Sequence, residues 1–126
     1  MNVSEIRVKM IAYSEGNLHE INHFLKVHAY AEMIAECEAV PREVRQTAEI
    51  AAIVHDIACP LCREKYGNTN GKYQETEGIP LTRAFLADTG LLEAVAERVV
   101  YLVGPQQTAQ AGDWPVCPSL LGGVRP

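Results

Sequence analysis

The stretch "EIAAIVHDIACPLC", residues 49–62, contains the pattern that decides the fold. Ile50 to Val54 form an unbroken apolar run, which is typical of a helix buried on nearly every side. The run continues directly into His55 and Asp56, one side chain that titrates near neutral pH and one that is charged there. Because an unpaired buried carboxylate costs several kcal/mol, either a hydrogen-bonded partner or a bound metal ion must compensate Asp56.

Length and composition indicate one ordinary globular domain. The chain has 126 residues, of which 48% are hydrophobic and 21% are charged. Its net charge of −5 argues against a protein that coats nucleic acid or an anionic membrane, because both partners favour a basic surface. We find no apolar stretch near the roughly 20 residues of a membrane span and no signal-peptide core. The four cysteines do not form a dense disulfide framework, so we expect a cytoplasmic protein.

Apolar residues recur at helical spacing along most of the chain, and strand patterns are absent from the sequence. The spacing predicts an all-α domain of about five helices, which span residues 3–13, 18–38, 42–57, 80–88 and 91–103. Pro60 is expected to end the third helix, because proline disfavours helical geometry in the residue before it. Residues 60–79 are rich in glycine and asparagine and have no period, which predicts a long surface loop.

The second predicted helix carries three histidines, His19, His23 and His28. If it packs antiparallel against the third helix, one of these imidazoles lies beside His55 and Asp56. Two neutral imidazoles plus a carboxylate suit Fe, Mn, Co, Ni or Zn, and they leave coordination positions open for water. From spacing alone, a structural His-Asp hydrogen bond remains the alternative to a metal site.

Four segments of the sequence carry a resemblance to a known family. "HFLKVHAYAEMIAECEAV", residues 23–40, followed by "AEIAAIVHDIA", residues 48–58, resembles the HD superfamily of metal-dependent phosphohydrolases. "EKYGNTNGKYQETEGIPLTRAFL", residues 64–86, and "ERVVYLVG", residues 97–104, are similar to a small bacterial branch of that superfamily. The resemblance covers about residues 17–104, and it implies that residues 1–104 form an HD-like helical bundle.

The resemblance also implies a metal site and a reaction. It makes His23, rather than His19 or His28, the first ligand of one divalent ion that His55 and Asp56 also hold. The ion would be Mn, Fe, Co, Ni, Zn or Mg. Such an ion lowers the pKa of a bound water towards ~7, and the resulting hydroxide would attack a phosphate ester. The implied substrate is a phosphorylated small molecule or nucleotide, and Asp56 would take part in catalysis.

Charged residues of the predicted loop are further candidates for the site. Arg63, Lys65 and Lys72 would bind a phosphoryl group, although a solvated basic loop explains their spacing equally well. Gln74 and Glu75 stand where many proteins of this family carry a further histidine, which implies one metal ion rather than two. Glu75 would orient the water or act as a general base, with an exposed carboxylate at a helix start as the alternative.

The resemblance ends at Gly104. Proteins of this branch continue with a histidine run and later an aspartate that completes the metal site, whereas this chain has Gln106 and Gln107, with Val124 near the aspartate's place. Residues 105–126 are therefore predicted to be an atypical, irregular or disordered tail of the same single domain. The alternative function is a degenerate HD domain that binds a ligand or assembles with itself without catalysis.

A chain without its last helix is expected to expose apolar side chains, which are Leu92, Val95, Val99 and Leu102. Because large apolar patches are rarely left exposed in monomers, the sequence predicts a homodimer or a larger assembly.

The motif Cys59-Pro60-Leu61-Cys62 resembles redox sites, in which a helix N-terminus lowers the thiol pKa. Here the motif is expected at a helix C-terminus, where the dipole opposes thiolate formation. A second Cys-x-x-Cys for a structural zinc site is absent from the sequence. We therefore interpret Cys59 and Cys62 as incidental thiols.

Overall fold

The computed structural model describes residues 1–104, and every regular element in that range is an α-helix. The helices are α1 Val3–Tyr13, α2 Leu18–Cys37, α3 Arg42–Val54, α4 Cys59–Tyr66, α5 Gly71–Leu86 and α6 Glu93–Val103. The prediction of an all-α fold is confirmed for this part of the chain, with six helices against about five expected. Across these 104 residues, none of the helices combines the length and the apolar character needed to cross a membrane. The predicted tail lies outside the described residues.

Helix α3 lies at the centre of the bundle, where it contacts α1, α2 and α6. Its apolar run is buried as the sequence predicts, with Ile50, Ile53 and Val54 at 0% exposure. Full burial of such a side chain contributes about 1.5–3 kcal/mol, so this helix is a main source of stability. The side chains that surround it come from the other helices and include Ile6, Met10, Phe24, Phe85, Leu86, Val99, Leu102 and Val103.

The prediction of a long surface loop over residues 60–79 is wrong, because α4 and half of α5 lie there. Pro60 lies in the first turn of α4, where a helix does not use the N–H that proline lacks. Gly67 ends α4 with a φ of 77°, a left-handed conformation that suits glycine. The Asn70 side chain accepts a backbone hydrogen bond at the start of α5, and Pro80 lies inside that helix.

Side-chain contacts between α4 and α5 hold these two helices together. The rings of Tyr66 and Tyr73 stack with centroids 3.9 Å apart and planes inclined by 5°. Glu77 accepts hydrogen bonds from the Lys65 ammonium and the Tyr66 hydroxyl, each at 2.9 Å. These interactions come from tertiary packing, which the local sequence pattern does not reveal.

Two of the four side chains proposed for a dimer surface are in the core. Val99 is 0% exposed and Leu102 is 1% exposed, because α6 packs against both α3 and α5. Their assignment to an exposed patch is wrong. Leu92 is 73% exposed and Val95 is half-buried, so these two remain available at the surface of the described residues.

Candidate metal centre

The antiparallel pair α2 and α3 brings the predicted ligands together. His23 lies in the second turn of α2, whereas His55 and Asp56 lie in the turn that follows α3. That turn is formed by hydrogen bonds from Ile57 N–H to Val54 O and from Cys59 N–H to Asp56 O, both 3.0 Å long. The third helix was expected to extend to residue 57 but ends three residues earlier. The His-Asp pair therefore lies at a bend in the chain.

Three ligand atoms converge at this bend. His23 Nε2 lies 3.1 Å from Asp56 Oδ2, His55 Nε2 lies 3.2 Å from the same oxygen, and the two Nε2 atoms are 3.3 Å apart. An ion bonded at about 2.1 Å has ligand atoms about 3.0 Å apart at right angles and about 3.4 Å apart at tetrahedral angles. The three separations fall between these values, so the residues fit a divalent cation.

A backbone hydrogen bond sets the orientation of His55. Its Nδ1–H donates to the carbonyl oxygen of Ala52 at 2.7 Å, which leaves the Nε2 lone pair of the neutral imidazole directed at Asp56. Metal-binding histidines usually have such a partner on the second ring nitrogen, because it fixes both tautomer and ring direction. The carbonyl of Ala52 is therefore part of the site, and the sequence motif does not identify it.

Without a cation, His55 and Asp56 stabilise each other's charge. Burial is the largest influence on the pKa of His55 and lowers it, but the hydrogen bond and charge of Asp56 and the Ala52 carbonyl outweigh it and raise this pKa above 6.5. For Asp56, burial raises the pKa, whereas hydrogen bonding and charge from His55 and the charge of His23 bring it below 3.8. The proton that charges His55 would therefore lie where a cation would neutralise the carboxylate.

Glu20 and Arg63 form an ion pair beside the three ligands. Glu20 lies on α2 one turn before His23, and its charge raises the pKa of His55. Arg63 lies on α4, and the charge of Asp56 contributes to its raised pKa after the larger effect of its hydrogen bond with Glu20. Sequence reasoning identified Arg63 but missed Glu20. The available signal was the i, i+3 spacing of Glu20 and His23.

The other predicted substrate and catalytic residues lie on α4 and α5. Lys65 is paired with Glu77, and Lys72 is an exposed residue in the first turn of α5. Glu75 is half-buried in α5 and is outside the group of donor atoms that His23, His55 and Asp56 form. Of the three basic residues, Arg63 is the one that the structure brings to the candidate centre.

The Cys-x-x-Cys motif lies at the start of α4, so its predicted place at a helix C-terminus is wrong. The helix N-terminus does not make Cys59 reactive, because burial, followed by the charges of Asp56 and Glu20, raises its pKa to about 12. Burial also raises the pKa of Cys62. Both thiols are therefore protonated at neutral pH, and Cys59 lies near enough to donate a hydrogen bond to Asp56.

A second group of possible donors lies deeper in the bundle and consists of His28, Glu32 and Glu49. The Arg7 guanidinium donates to His28 Nδ1 at 3.3 Å, so Nε2 carries the proton and donates to Glu49 Oε1 at 2.9 Å. Arg45 donates to the other oxygen of Glu49 at 3.0 Å. Both oxygens of Glu49 thus already accept a hydrogen bond, one from His28 and one from Arg45, so we interpret the cluster as a structural network that connects α1, α2 and α3.

No family model, no curated protein and no solved structure matches this chain. Membership of the HD superfamily therefore stays a prediction from the sequence resemblance.

Proposed function

We propose that this chain is a metal-dependent phosphohydrolase with an HD-like bundle, acting on a phosphorylated small molecule or nucleotide. The observation that carries the proposal is the convergence of His23 Nε2, His55 Nε2 and Asp56 Oδ2 within 3.3 Å of one another. Two imidazoles and one carboxylate are donors that suit a first-row divalent ion and leave positions for water and substrate.

Each residue of the centre has a distinct role in this proposal. A divalent ion held by these residues would supply Lewis acidity and would lower the pKa of a bound water to about 7. His23 and His55 contribute neutral nitrogen lone pairs, and Asp56 contributes the one negative charge among the three ligands. Arg63 binds the phosphoryl oxygens, because a guanidinium offers several N–H donors in one plane. Glu75 is proposed as the group that orients the water or accepts its proton.

Metal content and turnover together test the proposal. The untagged protein, purified without chelator or immobilised metal, should contain about one equivalent of a divalent ion. A generic phosphomonoester should be hydrolysed slowly, faster with added Mn²⁺ or Co²⁺, and no longer after chelation. Glu75→Gln should lower turnover while metal content stays constant. A metal-free protein that gains neither bound metal nor turnover on addition of these ions would contradict the assignment.

The second candidate is a degenerate HD domain that binds a ligand or a second copy without catalysis. It is favoured by the small donor set, because the group within residues 1–104 contains three protein ligands and no additional carboxylate. Bound metal and bound phosphate without detectable turnover would support this candidate. Hydrolysis that disappears in Asp56→Asn would support the enzyme.

A further inference from the structure

The ion pair between Glu20 and Arg63 connects α2 to α4, whereas the candidate metal centre connects α2 to the turn that immediately precedes α4. Glu20 lies three residues before His23 on α2, and residues at this spacing project from one helix face with Cβ atoms about 5–6 Å apart. Arg63 lies on α4, seven residues after Asp56. His23 contacts Asp56 at 3.1 Å, and one helical turn away the Arg63 guanidinium donates to Glu20 Oε1. The pair is therefore adjacent to the centre.

The two members of the pair differ in exposure. The Glu20 side chain is 12% exposed, whereas that of Arg63 is 48% exposed. The carboxylate is thus covered by protein, and the guanidinium has an open side towards solvent. Glu20 Oε1 accepts from one terminal nitrogen of Arg63, and a guanidinium has five N–H donors in all. Further donors of Arg63 are consequently available to an anion.

We propose, on the basis of the proposed function, that Glu20 is a positioning residue that holds Arg63 as the phosphate-binding group of the metal centre. A long arginine side chain loses considerable rotamer freedom when it binds a ligand. An almost buried carboxylate that already fixes one end of the guanidinium reduces this loss, so phosphate meets a preorganised donor. Glu20 acts through Arg63 and does not touch the substrate.

A purely structural role for the pair is the competing explanation, because it also connects α2 to α4. The Arg83–Glu97 pair provides a matched control, since it connects α5 to α6 through a 2.9 Å contact with both side chains about half exposed. If cross-helix pairing alone matters, removal of Glu97 and removal of Glu20 should have similar effects on ligand binding.

Inorganic phosphate binding, measured by calorimetry with and without Mn²⁺, tests the proposal independently of turnover. Glu20→Ala should weaken phosphate binding about tenfold, as expected for loss of a hydrogen bond to a charged group. Glu20→Gln keeps an oxygen acceptor for Arg63 and should bind within about twofold of the wild type. Arg63→Gln should lose the binding, and Glu97→Ala should leave it unchanged.

Tighter phosphate binding in both Glu20 variants would overturn the proposal, because Glu20 would then be a competitor of phosphate. Equal weakening in Glu20→Ala and Glu97→Ala would also overturn it in favour of the structural role. If Glu20→Ala does not fold, the Arg63→Gln and Glu20→Gln variants still test the proposal. Unchanged phosphate binding in Arg63→Gln would contradict the role of Arg63 as the phosphate-binding group. If phosphate binding depends on Glu20 but the protein shows no turnover, the proposed hydrolase function is refuted while the positioning role of Glu20 stands.

Discussion

His55 is the residue on which the candidate centre depends most directly, because both of its ring nitrogens are used. Nδ1 is fixed by Ala52 O at 2.7 Å, and Nε2 faces Asp56 and His23. His23 has more freedom, since its side chain is 46% exposed against 21% for His55. The orientation of the donor set therefore originates at the end of α3, where the backbone leaves the helix.

We expect His55→Gln to weaken Mn²⁺ or Zn²⁺ binding by at least about 100-fold. Loss of a residue that only supports a ligand typically costs 10–100-fold, and loss of the ligand itself should cost at least as much. Isothermal titration calorimetry on chelator-treated protein measures the effect. His19→Gln is the matched control, because His19 is an exposed residue of α2 outside the donor group. Equal metal affinity in His55→Gln and the wild type would contradict the site.

The stability of the metal-free protein should fall as the pH rises above about 6.5. The pKa of His55 in the folded chain lies above 6.5, so its protonated form stabilises the fold below that pH. This contribution is lost as the pH rises through the raised pKa. The lowered pKa of Asp56 keeps that carboxylate ionised over the whole range. The melting temperature of chelator-treated protein at several pH values provides the measurement.

The substitution His55→Gln should remove this pH dependence, because the side chain no longer titrates. A bound metal should reverse the trend, since metal competes with the proton for His55 and binds more tightly as the pH rises. A melting temperature of metal-free wild type that stays constant or increases from pH 6 to 8 would show that the pair does not titrate as described.

The sequence predicted the three candidate ligands, but it identified only some of the groups that surround them. His55 and Asp56 follow from a charged pair at the end of an apolar run, and His23 follows from the family resemblance. Glu20 and the Ala52 carbonyl were missed for a physical reason. A carboxylate in the first turn of a helix normally faces solvent, so its residue type does not suggest a place beside a buried site. A main-chain carbonyl is present in every residue, so no sequence pattern marks one of them. Both become recognisable when the bend after α3 is known.

At the scale of helices, α4 and α5 show where local patterns fail. Glycine, asparagine and two prolines between residues 60 and 80 indicate a loop if they are counted as breakers. The same residues serve as helix boundaries here, with Pro60 in a first turn and Gly67 at a C-terminus. An eight-residue helix is marginal by itself, so α4 depends on its contacts with α5. A short stretch of sequence taken by itself does not reveal such contacts between helices.

A pair of glycine substitutions tests the packing of α6 against α5. A Cβ at Gly104 would overlap Ile79 Cγ1, so Gly104→Ala should destabilise the fold by about 1–3 kcal/mol. A Cβ at Gly78 would meet only Ala58 Cβ at 3.8 Å, so Gly78→Ala should be neutral or stabilise by up to about 1 kcal/mol. Urea denaturation provides both values. Similar effects at the two positions would contradict this packing.

The buried network around His28 explains how α1 is attached to the α2–α3 pair. His28 is 2% exposed and Glu49 is 6% exposed, and both are fully hydrogen-bonded through Arg7 and Arg45. Helical spacing left His28 as one of three candidate histidines on α2, and the family resemblance then favoured His23. Its burial follows from the partner on α3, which the helical period does not identify.

At the scale of the whole molecule, a cleft of about 490 Å³ separates the α2–α3 connection from α6. Its apolar lining includes Val40, Val44, Ala94 and Val95, and its charged residues are Glu38, Glu43 and Arg98. Leu92 lies three residues before Val95 and is 73% exposed. A lining that combines apolar side chains with residues of both charge signs can be self-complementary, as association around a two-fold axis requires.

We therefore predict a homodimer that uses this cleft, although two of the side chains first expected at the surface are buried. Light scattering at tens of micromolar should give twice the monomer mass of 13.9 kDa. Val44→Glu or Val95→Glu should yield monomers, because a charge in a dry interface loses its hydration without a partner. Val8→Glu is the control, since Val8 on α1 is 66% exposed and lies outside the cleft. A monomeric wild type would refute the dimer, and a dimer that survives both cleft variants would place the interface elsewhere on the bundle.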